Sequence, residues 1–191
     1  MMRIIAGEFK GHPIKAPKGD GTRPTTDRVR ESLMSSVNSI LGGFEDARVL
    51  DLFAGSGALG LEALSRGAQS ACFCEKHPTA IEALSSNLRL AGRSRARIAR
   101  GDVFKKLPQA AEPFNLLFLD PPYAVRADDV AGLIAGLEAA GSLAPGALVV
   151  YEHDNTQDPL ESADFEKLGA RHLSRKKYGS TIVDIFETGE Q

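Results

Sequence analysis

The sequence predicts an α/β protein built on a doubly wound, mostly parallel seven-stranded sheet with helices on both faces. Three observations lead to this class. From Arg48 onward, short apolar runs alternate with segments whose apolar residues recur at helical spacing, as in parallel strands joined by crossover helices. Two later runs are joined only by Gly179-Ser180, which predicts a closing antiparallel hairpin. The length of 191 residues suits one ordinary domain.

Seven runs account for the strands of this sheet. Those at 115–119 and 147–151 are apolar apart from Asn115, as expected for strands buried on both faces. Helices are expected from a cap at Thr26 or Asp27 to Gly42, from the following glycine turn to Gly67, from Pro78 to Gly92, and over roughly 128–140. The predicted strands are 48–53, 71–75, 97–99, 115–119, 147–151, 171–178 and 181–186.

The composition is that of a globular protein, with 42% hydrophobic and 25% charged residues. No apolar run approaches the roughly 18 residues that span a bilayer, and the first residues lack the apolar stretch of a secretory signal. We therefore expect a cytoplasmic protein that binds no membrane. The two cysteines, Cys72 and Cys74, and the four histidines form no ligand pattern, so we expect no metal and two free thiols in a buried strand.

Basic residues are concentrated at the start of the chain. Residues 1–30 hold seven Lys and Arg against three acidic residues, a net charge of +4, whereas the remainder carries 16 against 22, a net charge of −6. The basic region at residues 1–30 suits a localised contact with a polyanion, although solvated surface charge would explain the same count. Residues 1–25, rich in Gly, Pro and Lys, predict a small hairpin arm, and 26–191 the remaining domain.

A glycine-rich turn follows the first strand of the alternation. Gly55, Gly57 and Gly60 satisfy the G-x-G-x-x-G pattern, and Glu75 lies twenty residues after Gly55 at the end of the next strand. The same pattern serves two cofactors. A dinucleotide would place its pyrophosphate at the helix N-terminus, whereas S-adenosyl-L-methionine would place its amino acid moiety against the glycine backbone. Under either interpretation, Glu75 accepts hydrogen bonds from ribose hydroxyls.

The turn Asp120-Pro121-Pro122-Tyr123 favours the second cofactor. It directly follows a predicted strand, at the carboxyl edge where doubly wound folds bind ligands. The prolines stiffen the backbone and remove two N–H donors. An amino group on a base is a poor nucleophile, and the Asp120 carboxylate and the Pro121 carbonyl can accept both of its hydrogens. Tyr123 can stack on the flat base for about 1–3 kcal/mol, and we expect this turn to face the transferred methyl group.

Together these segments resemble the class I, Rossmann-like methyltransferases that modify amino groups, which place an (N/D)-P-P-(Y/F) motif after the fourth strand. The resemblance implies that S-adenosyl-L-methionine is the cofactor. It also implies that Asp102 accepts a hydrogen bond from the adenine amino group and that Val103 lies against the ring. The residues assigned to the cofactor are Asp51, Phe53, Ala54, Gly55, Ser56, Gly57, Glu75, Lys76, Asp102 and Val103.

Over nearly the whole chain, the sequence resembles the RsmD family of bacterial 16S rRNA guanine-N2 methyltransferases. The resemblance implies methyl transfer to the exocyclic N2 of a guanine in 16S rRNA within the 30S ribosomal subunit, and we expect the protein to act as a monomer. The segment 22–31, called the N-terminal motif below, is specific to this family, because general methyltransferases lack it. The segments that carry the resemblance are 3–7, 22–31, 51–57, 120–123 and 177–181.

Several basic residues are expected to hold RNA phosphates beside the catalytic turn, in the arm and in the closing hairpin. A further arginine cluster at 89–100 is interpreted mainly as solvent-exposed side chains on a helix end and an exposed strand. The expected RNA-binding residues are Arg3, Lys10, Arg23, Arg28, Arg30, Arg175, Lys176 and Lys177.

Three alternatives remain open at this point. A DNA adenine-N6 or protein glutamine methyltransferase would use the same Asp-Pro-Pro-Tyr chemistry, although the short chain leaves no separate DNA-recognition domain. An NAD-dependent oxidoreductase would explain the glycines and Glu75 but gives the proline turn no role. A noncatalytic RNA-binding module would retain only the fold.

Overall fold

The computed structural model describes residues 2–17 and 27–189. The chain divides into two compact units, Met1–Asp102 and Val103–Gln191. No helix within the described ranges is long and apolar enough to cross a membrane.

The first unit contains a small hairpin and three parallel strands in the order β5-β4-β3. In the hairpin, Met2 pairs with Ile14 in antiparallel register. The elements are β1 (Met2–Arg3), β2 (Pro13–Ile14), α1 (Asp27–Leu41), β3 (Arg48–Asp51), α2 (Ala58–Ser65), β4 (Ser70–Glu75), α3 (Pro78–Asn87), a 3₁₀ turn (Leu88–Leu90) and β5 (Ala96–Arg100).

Helices α1 and α2 begin and end close to their predicted bounds, whereas α3 ends at Asn87, before the predicted end at Gly92, and a 3₁₀ turn follows it. Helix α1 starts at Asp27, whose carboxylate lies in the positively polarised first turn, whereas the alternative cap Thr26 lies outside the described residues. Gly42 follows the helix with φ 74°, a left-handed conformation that glycine adopts without a steric penalty. Cys72 and Cys74 are buried free thiols in β4, as predicted.

The second unit contains four strands in the order β6-β7-β9-β8. Strands β6 and β7 are parallel, whereas β9 runs antiparallel to both of its neighbours. Tyr178 pairs with Thr181 across the predicted two-residue turn, in which Gly179 has φ 64°. The elements are β6 (Phe114–Leu119), α4 (Ala127–Ala139), β7 (Leu143–His153), α5 (Ala163–Lys167), β8 (Arg171–Tyr178) and β9 (Thr181–Glu187).

These elements confirm the predicted fold class, a mostly parallel seven-stranded sheet with an antiparallel C-terminal hairpin. The second unit differs from the prediction in two elements. Strand β7 covers eleven residues rather than five, and α5 was not predicted. The segment around α5 is rich in Asp and Glu, and Phe165 is the single buried residue of the helix. Its start is fixed by Ser162, whose Oγ accepts a hydrogen bond from the Phe165 N–H at 3.2 Å.

The N-terminal arm is bound to helix α2 by its own backbone. The Glu8 N–H donates to the Ser65 carbonyl at 2.7 Å, and the Phe9 N–H donates to the Ser65 Oγ at 2.9 Å. The Ile5 N–H donates to a carboxylate oxygen of Glu62, a fully buried residue, at 2.8 Å. Residues 5–9 therefore form part of the first unit's packing, while the predicted division of the chain at residue 25 stays a prediction.

The predicted RNA contact of Arg30 is wrong, because this side chain is buried. Its side chain is 1% exposed. Its Nη2 donates to the Arg3 carbonyl at 2.7 Å and to the Asp27 carboxylate at 2.9 Å, and its Nε lies 3.7 Å from the Glu62 carboxylate. A buried guanidinium already shared among these acceptors has a structural role, so Arg30 is not a surface contact for phosphate.

We predict that Arg30→Ala lowers the free energy of unfolding by about 3 kcal/mol, because it removes one partner of a buried charge network. Arg28→Ala, which alters an exposed residue of the same helix, should change it by no more than about 0.5 kcal/mol. Urea denaturation of both variants measures the difference. Equal stabilities would contradict the structural role.

Candidate active site

The cofactor loop, residues 52–57, connects β3 to α2 at the carboxyl end of the strand. The Ala54 N–H donates to the Cys74 carbonyl at 3.0 Å, which ties the loop to β4. The Gly57 N–H donates to the Ala54 carbonyl at 2.6 Å and closes the turn. The buried Asp51 carboxylate accepts a hydrogen bond from the Gly60 N–H at 3.3 Å, so it holds the first turn of α2 against the strand.

The three glycines of the loop have different roles. Gly55 and Gly57 have φ values of 54° and 80°, which favour glycine. A Cβ on Gly57 would lie 2.5 Å from the Leu84 Cδ1, and a Cβ on Gly60 would lie 2.3 Å from the Phe73 Cε1. These two glycines therefore allow close packing. A Cβ on Gly55 would meet no protein atom within 4 Å, so this glycine borders open space.

The Glu75 carboxylate is held by three backbone N–H groups. One oxygen accepts from Gly55 at 2.9 Å, and the other accepts from Lys76 at 2.7 Å and from His77 at 2.8 Å. Hydrogen bonds to a carboxylate are stronger than neutral ones. Because the two oxygens offer about four acceptor positions, capacity remains for a ligand hydroxyl beside the loop.

The first unit also brings Lys76 and Asp102 together. The Lys76 Nζ lies 3.3 Å from the Asp102 Oδ2, and both side chains retain exposed surface. Phe53 and Ser56 are half-buried within the loop. Val103 begins the second unit and is buried. The predicted contacts of these residues with the cofactor remain predictions.

Asn87 is a site residue that the sequence analysis missed. It lies at the end of α3 and is 4% exposed. Its Oδ1 accepts from the Lys15 N–H at 3.0 Å, and its Nδ2 donates to the Lys15 carbonyl and to the Ser56 carbonyl, each at 2.9 Å. One side chain therefore joins the N-terminal arm to the cofactor loop. A single polar residue at a helix end carries no sequence pattern that would reveal this role.

The Asp120–Tyr123 turn offers two acceptors at the end of β6. Within residues 2–17 and 27–189, no group donates a hydrogen bond to the Asp120 carboxylate or to the Pro121 carbonyl. The Pro122 carbonyl accepts from the Val125 N–H at 2.8 Å, which closes the turn. Tyr123 is 46% exposed, so its ring face is available for stacking. This arrangement suits an amino group on a flat ring.

The environment of Asp120 increases its basicity. Desolvation of the charged form by the surrounding protein raises the pKa of the carboxyl to about 6. The residue nevertheless has exposed surface, so its carboxyl remains accessible to a ligand. At neutral pH the carboxylate form predominates, and it can accept hydrogen bonds or a proton.

The predicted RNA-binding residues of the arm differ in availability. Arg3 is two-thirds exposed and lies 3.5 Å from the Asp27 carboxylate. Lys10 and Arg28 are exposed. Arg23 lies outside the described residues, together with 22–26 of the N-terminal motif.

Arg175, another predicted RNA contact, is exposed and takes part in an ion-pair network. Its guanidinium donates to Asp184 at 2.8 Å and to Asp158 at 2.5 Å. The Asp184 carboxylate is buried and also accepts from His153 and His172. Hydrogen bonds to Asp184 and Asp158 raise the pKa of Arg175, so its charge is committed to holding the C-terminal hairpin. Of its two neighbours on β8, Lys176 is half-buried and Lys177 is exposed.

Comparison with known proteins provides the context for these features. The chain is 40% identical over 153 residues to "Ribosomal RNA small subunit methyltransferase D" of Escherichia coli K12, covering 80% of this chain and 75% of that protein. It is 37% identical to "Putative rRNA methyltransferase YlbH" of Bacillus subtilis, covering 97% and 98%. The solved structure "Putative methyltransferase yhhF from Escherichia coli" matches with a TM-score of 0.81 at 32% identity, covering 100% and 99%.

The fold, the glycine loop and the Asp-Pro-Pro-Tyr turn define a Rossmann-like methyltransferase. The model of the family described as "Conserved hypothetical protein 95" matches residues 2–187. The chain belongs to this family, the RsmD family of rRNA methyltransferases.

We predict that Asn87→Ala lowers the free energy of unfolding by about 1–3 kcal/mol, because it leaves part-buried backbone groups of Lys15 and Ser56 without their partners. Ser86→Ala is the matched control, since Ser86 contacts Lys15 only through the exposed Nζ, and should cost no more than about 0.5 kcal/mol. Urea denaturation checks both values. If Asn87→Ala is as stable as the control, the connection does not contribute to the fold.

Proposed function

We propose that this RsmD-family protein transfers a methyl group from S-adenosyl-L-methionine to the exocyclic N2 of a guanine in 16S rRNA. The observation that carries the proposal is the pair of acceptors on Asp120 and Pro121, to which no described group donates, beside the exposed ring of Tyr123. A guanine amino group presents two hydrogens and a flat aromatic ring, which match these two features. The relative named ribosomal RNA small subunit methyltransferase D supports the choice of substrate.

The cofactor loop fits S-adenosyl-L-methionine in two respects. The Glu75 carboxylate is already oriented by the backbone of Gly55, Lys76 and His77, so it can accept ribose hydroxyls without rearranging. The open space at Gly55 leaves the loop backbone accessible to the amino acid moiety. When bound, the cofactor supplies an electrophilic methyl group on a sulfonium sulfur.

The second unit supplies the means to activate the amine. The Asp120 carboxylate and the Pro121 carbonyl hold the two N–H hydrogens, which favours a more pyramidal nitrogen with a more available lone pair. As the new C–N bond forms, the C–S bond breaks and its electron pair stays on sulfur, leaving S-adenosylhomocysteine. The nitrogen then releases one proton, and Asp120 is the base that receives it. Tyr123 stacks on the base and fixes its orientation.

The proposal extends to the partner and the place of action. The substrate is the 16S rRNA of a 30S particle, and the protein acts on it as a cytoplasmic monomer. The target guanine lies in a loop or is extruded from a stack, because its N2 must reach the catalytic turn. The residues proposed to contact phosphates are now Arg3, Lys10, Arg23, Arg28, Lys176 and Lys177.

We expect Asp120→Ala to lower kcat roughly 100- to 1000-fold, the cost of removing one preorganised catalytic hydrogen-bonding group, with unchanged affinity for S-adenosylhomocysteine. Labelled methyl transfer to 30S particles from a strain lacking this gene measures the rate, and isothermal titration measures the affinity. Asp129→Ala removes an exposed carboxylate of the same unit and should retain the wild-type rate. Wild-type turnover by Asp120→Ala, or wild-type transfer to adenine in DNA instead of rRNA, would refute the proposal.

The pH dependence follows from the raised pKa of Asp120. Its deprotonated form is the active one, so kcat/KM should fall tenfold per pH unit as the pH decreases below about 6. Measuring kcat/KM between pH 5 and 8 locates this acid-side decrease. Circular dichroism over the same range checks that the protein stays folded. An acid limb near pH 4, the ordinary range of an aspartate, would mean that Asp120 does not limit the reaction.

A further inference from the structure

Positive charge is unevenly divided between the two units. Met1–Asp102 contains 15 Lys and Arg against 11 Asp and Glu, a net charge of +4, whereas Val103–Gln191 contains 8 against 14, a net charge of −6. Of the acidic residues in the first unit, Asp51, Glu62 and Glu75 are buried. The surface of the first unit is therefore more basic than its net charge indicates, and it is the better surface for a polyanion.

The structure separates the arginine cluster at 89–100 into structural and exposed members. Arg95 donates to the Leu64 and Ala68 carbonyls at 2.6 and 3.1 Å and pairs with Glu8. Arg89 and Arg93, by contrast, are exposed, and within the described ranges neither forms an ion pair. These two cations could therefore neutralise a phosphate without first losing a carboxylate partner.

Lys15 of the N-terminal arm extends the same surface. Its Nζ donates to the Ser86 Oγ at 3.0 Å, and no described carboxylate pairs with it. Arg89 follows Ser86 by three residues and so lies on the same helical face, while Arg93 comes directly after the turn at Gly92. The exposed Glu82, one turn before Ser86, is the acidic residue of that face, and it leaves an excess of positive charge.

Asn87 connects this surface to the cofactor loop. It binds the backbone of Lys15 on one side and the Ser56 carbonyl on the other. Because the Asn87 side chain is buried and makes three hydrogen bonds, the position of Lys15 relative to the loop is fixed. Phosphates bound here would lie beside the cofactor loop rather than at a remote surface.

We propose that Lys15, Arg89 and Arg93 form a phosphate-binding surface for the RNA substrate, in addition to the contacts proposed for Arg23 and Arg28. This inference rests on the proposed function, because it requires an RNA strand as the partner. Each cation releases counterions from the RNA on contact, so each contributes to the salt dependence of binding.

The test measures binding of a 16S rRNA transcript to the full chain at several salt concentrations, with S-adenosylhomocysteine present. For Arg89→Gln/Arg93→Gln we expect the slope of log K against log salt concentration to decrease in magnitude by roughly 1.4–1.8, at about 0.7–0.9 for each lost phosphate contact. Lys15→Gln alone should reduce it by roughly half as much. Both variants should bind S-adenosylhomocysteine with the affinity of the wild type.

The matched control is Lys167→Gln/Arg171→Gln, which removes two exposed cations already paired with Asp164 and Glu187. Its slope should equal that of the wild type. If Arg89→Gln/Arg93→Gln also retains the wild-type slope while the wild type still methylates rRNA, the surface is refuted and the proposed function stands. If the wild-type protein neither binds nor methylates rRNA, both are refuted.

Discussion

The arrangement of the first unit depends on one carboxylate bound by three backbone N–H groups. Glu75 joins the end of β4, the turn into α3 and the cofactor loop at Gly55. These are charge-assisted bonds at a buried position, so they fix the loop without help from a ligand. A binding site that is rigid before the ligand arrives loses less entropy on binding. The same residue thus stabilises the fold and prepares the site, which explains why an acidic side chain occupies a position with little exposed surface.

The Asp120–Tyr123 turn is proposed to meet a different requirement, that of activating an amine whose lone pair is delocalised into a ring. The two prolines take donors out of the backbone, so that the turn presents acceptors to its surroundings. Desolvation raises the pKa of Asp120 but leaves it below neutrality, and the group combines ionisation at physiological pH with a useful affinity for a proton. The desolvation that raises the pKa of Asp120 therefore also suits this carboxylate to its proposed role as a base.

The sequence predicted the strands well, because short continuous apolar runs bounded by turn residues are typical of buried strands. Helix α5 was missed, since a short helix with one buried residue leaves almost no periodic pattern. The assignment of Arg30 to RNA was wrong for a different reason: a sequence shows where charges occur but not which carboxylates approach them in space. Asn87 was missed because its three partners come from distant segments. The glycine loop and the Asp-Pro-Pro-Tyr turn were recognised from local spacing alone, and their roles in cofactor binding and catalysis stay predictions.

Strand β8 ends the strand order and pairs with β9 alone among the described strands, so its other side is an edge of the sheet. Such edges invite a strand from another molecule. This one carries Arg171, Arg175 and Lys177 within seven residues. Charged side chains on an edge strand oppose the addition of a further strand, so this margin of the sheet is poorly suited to self-association.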